Sequence, residues 1–226
     1  MAFKDFSETS DWTFVAAPES RCKRRALYQN GIKRGLDILM VVLSLPVSLP
    51  LIFGMMVLVA FEGGYPLYRQ KRLGRNGRVF RMLKIRTMVP GADALLDHHL
   101  RRDPEARREW DESQKLKCDP RISRIGRFLR KSSLDELPQL WNVLRGDMSL
   151  VGPRPMMVEQ RVLYPGTAYF ELRPGITGPW QISDRNETTF AARAGFDSDY
   201  LASLSLTRDL LILCRTVMVV LRGTGY

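Results

Sequence analysis

The chain has 226 residues, enough for one sizeable core, and nothing in its composition calls for a second. Its 35 Lys and Arg against 24 Asp and Glu leave a formal net charge of +11, which narrows the partners to nucleic acid, an anionic membrane surface or phosphorylated substrates. Three widely spaced cysteines (Cys22, Cys118, Cys214) and only His98 and His99 exclude a zinc framework and a disulfide scaffold, and imply a reducing, cytosol-facing location.

Met1 to about Asn30 mixes polar residues with a few aromatics and shows no sustained period, so residues 1–30 read as a flexible or surface-lying arm and residues 31–226 as one domain. Ile38 to Phe61 carries no charge and, as a helix, extends about 36 Å, long enough to cross a bilayer. It starts too far into the chain and is too long for a cleavable signal peptide. Pro46 and Pro50 interrupt it beside Ser44 and Ser48, whose hydroxyls can satisfy carbonyls that the prolines free. Basic residues flank it on both sides: Arg21, Lys23, Arg24, Arg25, Lys33 and Arg34 before, and an acid-free stretch from Arg69 to Arg86 after. Positive flanks stay on the cytoplasmic side, so the pattern favours a bent, re-entrant helix hinged at Pro46 and Pro50 that enters and leaves by one face over a straight crossing, which would strand one flank outside. A core helix of a soluble protein is the plainer alternative, and 24 uncharged residues are too many for one.

Pro66 to Met88 alternates apolar residues on both sides of Gly74-Arg75-Asn76-Gly77, which predicts a β-hairpin, with Lys84 and Arg86 leaving its second strand. Ala92 to Lys117 is charged and helix-compatible. In Arg121 to Lys131, Ile122, Ile125 and Leu129 share one helical face while Arg124, Arg127 and Lys131 share another, the pattern of a helix lying on a surface.

Next comes K-S-S-L-D-E-L-P-Q-L-W-N-V-L-R-G-D, with Asp135 and Glu136 adjacent and an arginine-rich stretch just upstream. Ser133-Leu134-Asp135-Glu136 is also an S-x-x-E capping box, which predicts a helix opening between Ser133 and Asp135, with Leu137, Leu140, Trp141 and Leu144 buried and Asp135 held ionised by the helix dipole. Fixed positive charge beside a carboxylate nucleophile suits an anionic substrate, whereas capping alone would explain the four residues without any chemistry. R-P-G-I-T-G-P-W-Q then reads as a tight loop holding Arg173, Trp180 and Gln181. At the end, Arg208, Arg215 and Arg222 fall seven residues apart in an apolar background, which fits an interfacial helix or a core helix with snorkelling arginines.

With these pieces assembled, the chain resembles the bacterial sugar transferase family, the monotopic polyprenyl-phosphate phosphoglycosyl transferases, in its short form. The likeness runs from about Lys33 to Tyr226 and is carried by K-R-G-L-D-I, Y-R-Q-K-R-L-G-R-N-G-R-V-F, L-K-I-R-T-M, the long block from D-P-R-I-S-R-I-G-R-F-L-R-K through S-L-D-E-L-P-Q-L-W-N to G-P-R-P, R-P-G-I-T-G-P-W-Q and V-V-L-R-G-T-G-Y. The resemblance implies an α+β, mainly helical, single monotopic membrane domain with a re-entrant kinked helix, a small β-hairpin and interfacial amphipathic helices, on the cytoplasmic face of the bacterial inner membrane. It implies transfer of a hexose 1-phosphate, glucose or galactose, from a UDP-sugar to undecaprenyl phosphate, with Mg2+ and release of UMP, as the first membrane step of exopolysaccharide or surface glycan synthesis. Asp135 matches the family's nucleophile, which forms a covalent phosphosugar intermediate, and Glu136 its partner acid; both are expected near the metal. Lys84, Arg86, Arg130 and Arg154 are expected to handle phosphates, Asp197 and Asp209 match further acids expected to help bind substrate, and Pro50 matches the helix-breaking proline. Membrane lipids, a second copy of the chain and downstream glycosyltransferases are the remaining expected partners; nucleic acid is not among them. The chain departs from the family pattern in having Leu49 before Pro50, an added Pro46, and Asp184 where many relatives have glycine. The competing expectations are a phosphodiesterase using the same carboxylate, and a membrane-bound basic scaffold holding anionic lipid.

Overall fold

The computed structural model describes residues 26–113, 116, 118–183 and 190–221. The readings made for Arg21, Cys22, Lys23, Arg24, Arg25, Lys117, Asp184 and Arg222 lie outside the described residues. Among those described, the chain is mainly helical, with a small antiparallel two-stranded sheet and a still smaller parallel one.

The first element is a π-helical turn, Tyr28–Ile32, running into helix α1, Lys33–Phe61. Together they form a helix long and apolar enough to cross a membrane, and only 11% of its most apolar window is buried, so it is no core helix of this chain. Both prolines lie inside it. The Ser44 hydroxyl donates to the Val41 carbonyl at 2.7 Å, one residue short of the carbonyl that Pro46 deprives of its partner. Tyr28, read from composition as the end of the arm, is buried in a core with Val151, Leu172, Tyr200 and Ile212. A single aromatic among polar residues has no period to reveal it.

The predicted hairpin forms from β1, Leu67–Leu73, and β2, Val79–Ile85, paired antiparallel with Arg72 opposite Phe80 and Tyr68 opposite Lys84. Asn76 and Gly77 take the positive φ values (57° and 73°) that the turn requires and that these residue types tolerate. The charged stretch after it is two helices rather than one, α2 (Ala92–Arg102) and α3 (Pro104–Ser113). Asp103 precedes a proline and takes an extended conformation, and its carboxylate accepts from the backbone N–H groups of Glu105 and Ala106 at 2.9 and 3.0 Å, capping α3.

Helix α4 spans Arg124–Ser132, capped by the Ser123 hydroxyl, which accepts from Gly126 N at 2.9 Å. Its faces divide as the spacing predicts: Leu129 is fully buried with Ile125 beside it, and Arg124, Arg127 and Lys131 are exposed. Arg121 falls outside the helix, paired with Asp119 at 2.7 Å and stacked on Trp110. Gly126 is pressed against the Thr87 backbone so closely that no Cβ would fit.

The capping box does not form. Ser133 is left-handed (φ 58°), makes no side-chain cap, and is followed by a 3-10 turn over Leu134–Glu136. Helix α5 begins only at Gln139 and runs to Arg145. Its buried face is Gln139, Asn142 and Val143, and Trp141, expected inside, is 57% exposed. Leu140 and Leu144 pack against the core around Val41 and Val143 as the stripe predicts, and Leu137 is half-buried. The R-P-G-I-T segment, expected as loop, contributes β4, Gly175–Thr177, which pairs parallel with β3, Ser149–Val151, leaving no room for a Cβ at Gly152 or Gly175. Trp180 and Gln181 beyond it are buried. Short α6 (Ala168–Glu171), then α7 (Arg193–Ala202) and α8 (Leu206–Leu221), complete the fold. Helix α8 has one buried and one exposed apolar side: Ile212 is buried, while Leu210, Leu211, Val217 and Met218 are exposed beside exposed Arg208 and Arg215.

Candidate active site

Three elements converge on Asp135. Strand β2 delivers Lys84, the end of α4 delivers Arg130, and the 3-10 turn presents Asp135 and Glu136. The Lys84 ammonium lies 2.7 Å from a Glu136 carboxylate oxygen and 3.7 Å from one of Asp135. The Arg130 Nε donates to the Thr87 hydroxyl at 2.9 Å, which fixes the guanidinium near the acids. Asp135 is buried to 7% exposure, and burial raises its carboxyl above the usual range; Lys84 and then Arg130 draw it down, and Glu136 pushes it up. Burial thus opposes the ionisation that the sequence credited to a helix dipole. Burial also lowers Arg130, against the pull of Asp135 and Asp119.

Two anchors hold this geometry. Leu134 packs with Val59, Ile85 and Leu129, so the turn is seated against the far end of α1. The Asn142 amide docks on the free edge of β2, accepting from Leu83 N at 3.0 Å and donating to Arg81 O at 2.9 Å, which fixes α5 beside the strand that carries Lys84. Asn142 was missed in the sequence. Its signal was a lone polar residue on the apolar side of a short helix.

A cleft beside the acids is lined by Lys84, Glu136, Arg72, Gln139 and Arg154, and a neighbouring one by Arg154, Trp180, Arg193, Tyr164 and Asp197. Arg154 belongs to both. Asp197 accepts from the Tyr164 hydroxyl at 2.8 Å, and burial pushes its carboxyl up to about 6. Two residues named from the sequence stand elsewhere. Arg86 donates to the carbonyls of Val59 and Gly63 at the end of α1. Asp209 sits in a buried knot, accepting from Lys33 at 2.5 Å and from the hydroxyls of Tyr28 and Tyr200 at 2.8 and 2.5 Å. Pro46 and Pro50 lie in α1 and line neither cleft.

No group of three or more acids, histidines or cysteines able to hold a metal occurs among the described residues. Asp135 and Glu136 nevertheless direct oxygens toward one cation, the Lys84 ammonium. Magnesium beside nucleotides is commonly held by one or two carboxylates, with substrate phosphates and water completing its shell, and the acid pair fits that pattern.

Residues 28–223 match the family model described as bacterial sugar transferase. The chain belongs to this family. It is 48% identical over 196 residues to a UDP-galactose-lipid carrier transferase of Erwinia amylovora, a match covering 86% of this chain and 41% of the relative. The exopolysaccharide production protein ExoY of Sinorhizobium fredii is 44% identical, over 85% of this chain and 87% of its own length. A UDP-glucose:undecaprenyl-phosphate glucose-1-phosphate transferase of Caulobacter vibrioides is 39% identical, over 82% and 68%. The chain thus spans about two fifths of the first relative and most of the second. Family membership places the acid pair, Lys84, Arg130 and both clefts inside the matched region.

Proposed function

We propose that this protein transfers a hexose 1-phosphate, galactose or glucose, from a UDP-sugar to undecaprenyl phosphate at the cytoplasmic face of the bacterial inner membrane, opening exopolysaccharide or surface glycan synthesis. The observation that carries the proposal is Asp135: a buried carboxylate with Lys84, Arg130 and Glu136 around it, seated on the end of an apolar helix. Capping does not account for the acid pair, because Ser133 makes no cap and Glu136 is engaged by Lys84.

In the proposed mechanism a carboxylate oxygen of Asp135 attacks the sugar-proximal phosphorus. A new O–P bond forms, the bond to the bridging oxygen breaks, and UMP leaves with that electron pair. An oxygen of undecaprenyl phosphate then attacks the same phosphorus and releases the Asp135 carboxylate, yielding a polyprenyl diphosphate sugar. Lys84 and Arg130 balance the charge on the phosphoryl oxygens, and Arg154 holds the remaining phosphate in the adjoining cleft. A magnesium ion held by Asp135 and Glu136 would supply further neutralisation of the diphosphate.

The re-entrant arrangement has its own support. Val41 packs with Phe80 and Met82, and Val59 packs with Ile85, on one strand. Pro46 and Pro50 fall between these two contacts, and a bend there would leave both ends of α1 on the side of the membrane that holds Asp135, where a soluble nucleotide sugar and a lipid phosphate can meet.

The test is UMP release by nanodisc-embedded protein given magnesium, undecaprenyl phosphate and each UDP-sugar in turn, beside Asp135→Asn. Lipid-dependent release from one sugar, reduced at least about 10³-fold in the variant, is expected. An Asp135→Asn protein as active as the wild type would sink the proposed nucleophile.

A further inference from the structure

Arg72 and Lys84 share a face of the hairpin, because residues two apart on a strand point the same way and Tyr68 pairs with Lys84. The Arg72 Nη1 donates to Pro155 O at 3.1 Å and Nη2 to the Gln70 side chain at 2.6 Å, while its Nε is buried with no partner among the described residues. Arg193, at the start of α7, stacks with its Cζ 4.0 Å from the Trp180 ring centroid and 4.7 Å from that of Phe190, and its Nε is also buried without a partner among the described residues. Arg154 stands between them, lining one cleft with Arg72 and the other with Arg193, its Cζ 5.7 Å from the Trp180 ring. Among the described residues, none of the three forms an ion pair within 4.0 Å.

Such an arrangement is costly without an anion. Arg72 and Arg193 are each lowered to about 10, by burial first and by the charge of Arg154 next. Asp197, the acid nearest Arg193 in its cleft, accepts from Tyr164 instead of forming an ion pair with the guanidinium. Arg193 and Arg154 both lie within cation–π distance of the Trp180 ring, and a planar guanidinium suits two-point recognition of phosphate oxygens.

We infer that Arg72 and Arg193 complete, with Arg154, a guanidinium cradle for the diphosphate of the nucleotide donor, an assignment that rests on the donor proposed above. Arg72, on the Lys84 side, holds the phosphate next to Asp135. Arg193, on Trp180, holds the phosphate next to the nucleoside. A dianionic or trianionic diphosphate neutralises three positive charges that otherwise repel one another.

The test is calorimetric titration of the full chain in nanodiscs with UDP, UMP and inorganic pyrophosphate, on wild type, Arg72→Gln, Arg72→Lys and Arg193→Gln, with thermal unfolding of each. Arg72→Gln and Arg193→Gln are each expected to weaken UDP about 10- to 100-fold. Arg72→Lys is expected to recover part of the loss. UMP is expected to lose less than UDP in Arg72→Gln, since it lacks the phosphate assigned to that residue. Glutamine variants that melt with the wild type and bind UDP as tightly would overturn the cradle and leave the donor proposal standing. Wild-type binding of pyrophosphate but not UDP, weakened in Arg72→Gln, would keep the anion cradle and remove the nucleotide donor. Binding of neither overturns both. Should Arg72→Gln melt lower, Arg193→Gln and Arg72→Lys decide by the same criterion.

Discussion

Asp135 and Asp209 are both buried aspartates beside a lysine, and their surroundings differ in one respect. Asp209 accepts from three donors, Lys33, Tyr28 and Tyr200, that join the start of α1 to α7 and α8. Asp135 has its lysine at 3.7 Å, beyond hydrogen-bond distance, because Lys84 spends its close contact on Glu136. A saturated carboxylate is fixed in place and cannot attack anything without breaking its knot. A carboxylate surrounded by charge but not bound closely by it stays available to a substrate. The contrast separates an acid that holds the fold from the one proposed as the nucleophile, and three substitutions test it.

The largest effect on stability is expected at the knot. Asp209→Ala removes the direct ion-pair partner of the buried Lys33 ammonium and the acceptor of two tyrosine hydroxyls, so it should cost about 3–5 kcal/mol in chemical denaturation of the detergent-solubilised protein. Were Asp209→Ala as stable as wild type, the knot would not be what anchors α1. Next, Lys84→Gln should lower transfer about 10²-fold. Burial is the first cause of the raised Asp135 carboxyl and Lys84 the main counterweight, so removing the lysine raises it further and moves the acid limb of the rate profile to higher pH. An unmoved limb would break the link between Lys84 and the ionisation of Asp135.

The smallest effect is expected at Asp197, which lies between the two cases with a single hydroxyl donor. Its carboxyl stands near 3.8 when unfolded and is raised to about 6 by burial in the folded protein. The sign follows from linkage: the protonated folded form is favoured, so this contribution to stability is fully present below about 3.8 and is lost as pH rises through about 6. Asp197→Asn keeps an acceptor for Tyr164 and removes the charge, so it should stabilise the protein at pH 7.5 by about 1–2 kcal/mol and by little at pH 3.5. Equal differences at the two pH values would contradict the assigned cause.

Much of this organisation was legible in the chain. The hairpin was visible from strand alternation around Gly74 to Gly77, α1 from its lack of charge, and the faces of α4 from its spacing, because each is a local pattern. The adjacent acids were legible as a site or a cap, and sequence could not separate the two. Ser133-x-x-Glu136 is chemically a capping box whether or not the backbone turns the right way, and here Ser133 adopts a left-handed conformation that ends α4 instead.

By itself, then, the sequence determined the hairpin, the membrane-compatible helix, the faces of α4 and the positions of Asp135 and Glu136, since these follow from residue type and period along a continuous stretch. Only the tertiary structure decided which charges meet. Lys84 reaches Glu136 across 52 positions, Asn142 seats α5 on β2 across 59, and Asp209 joins Lys33 across 176, while Arg86, two residues from Lys84, turns away to cap α1. Those pairings depend on how far each strand and helix runs and which way it faces when packed. No local pattern in the chain records that.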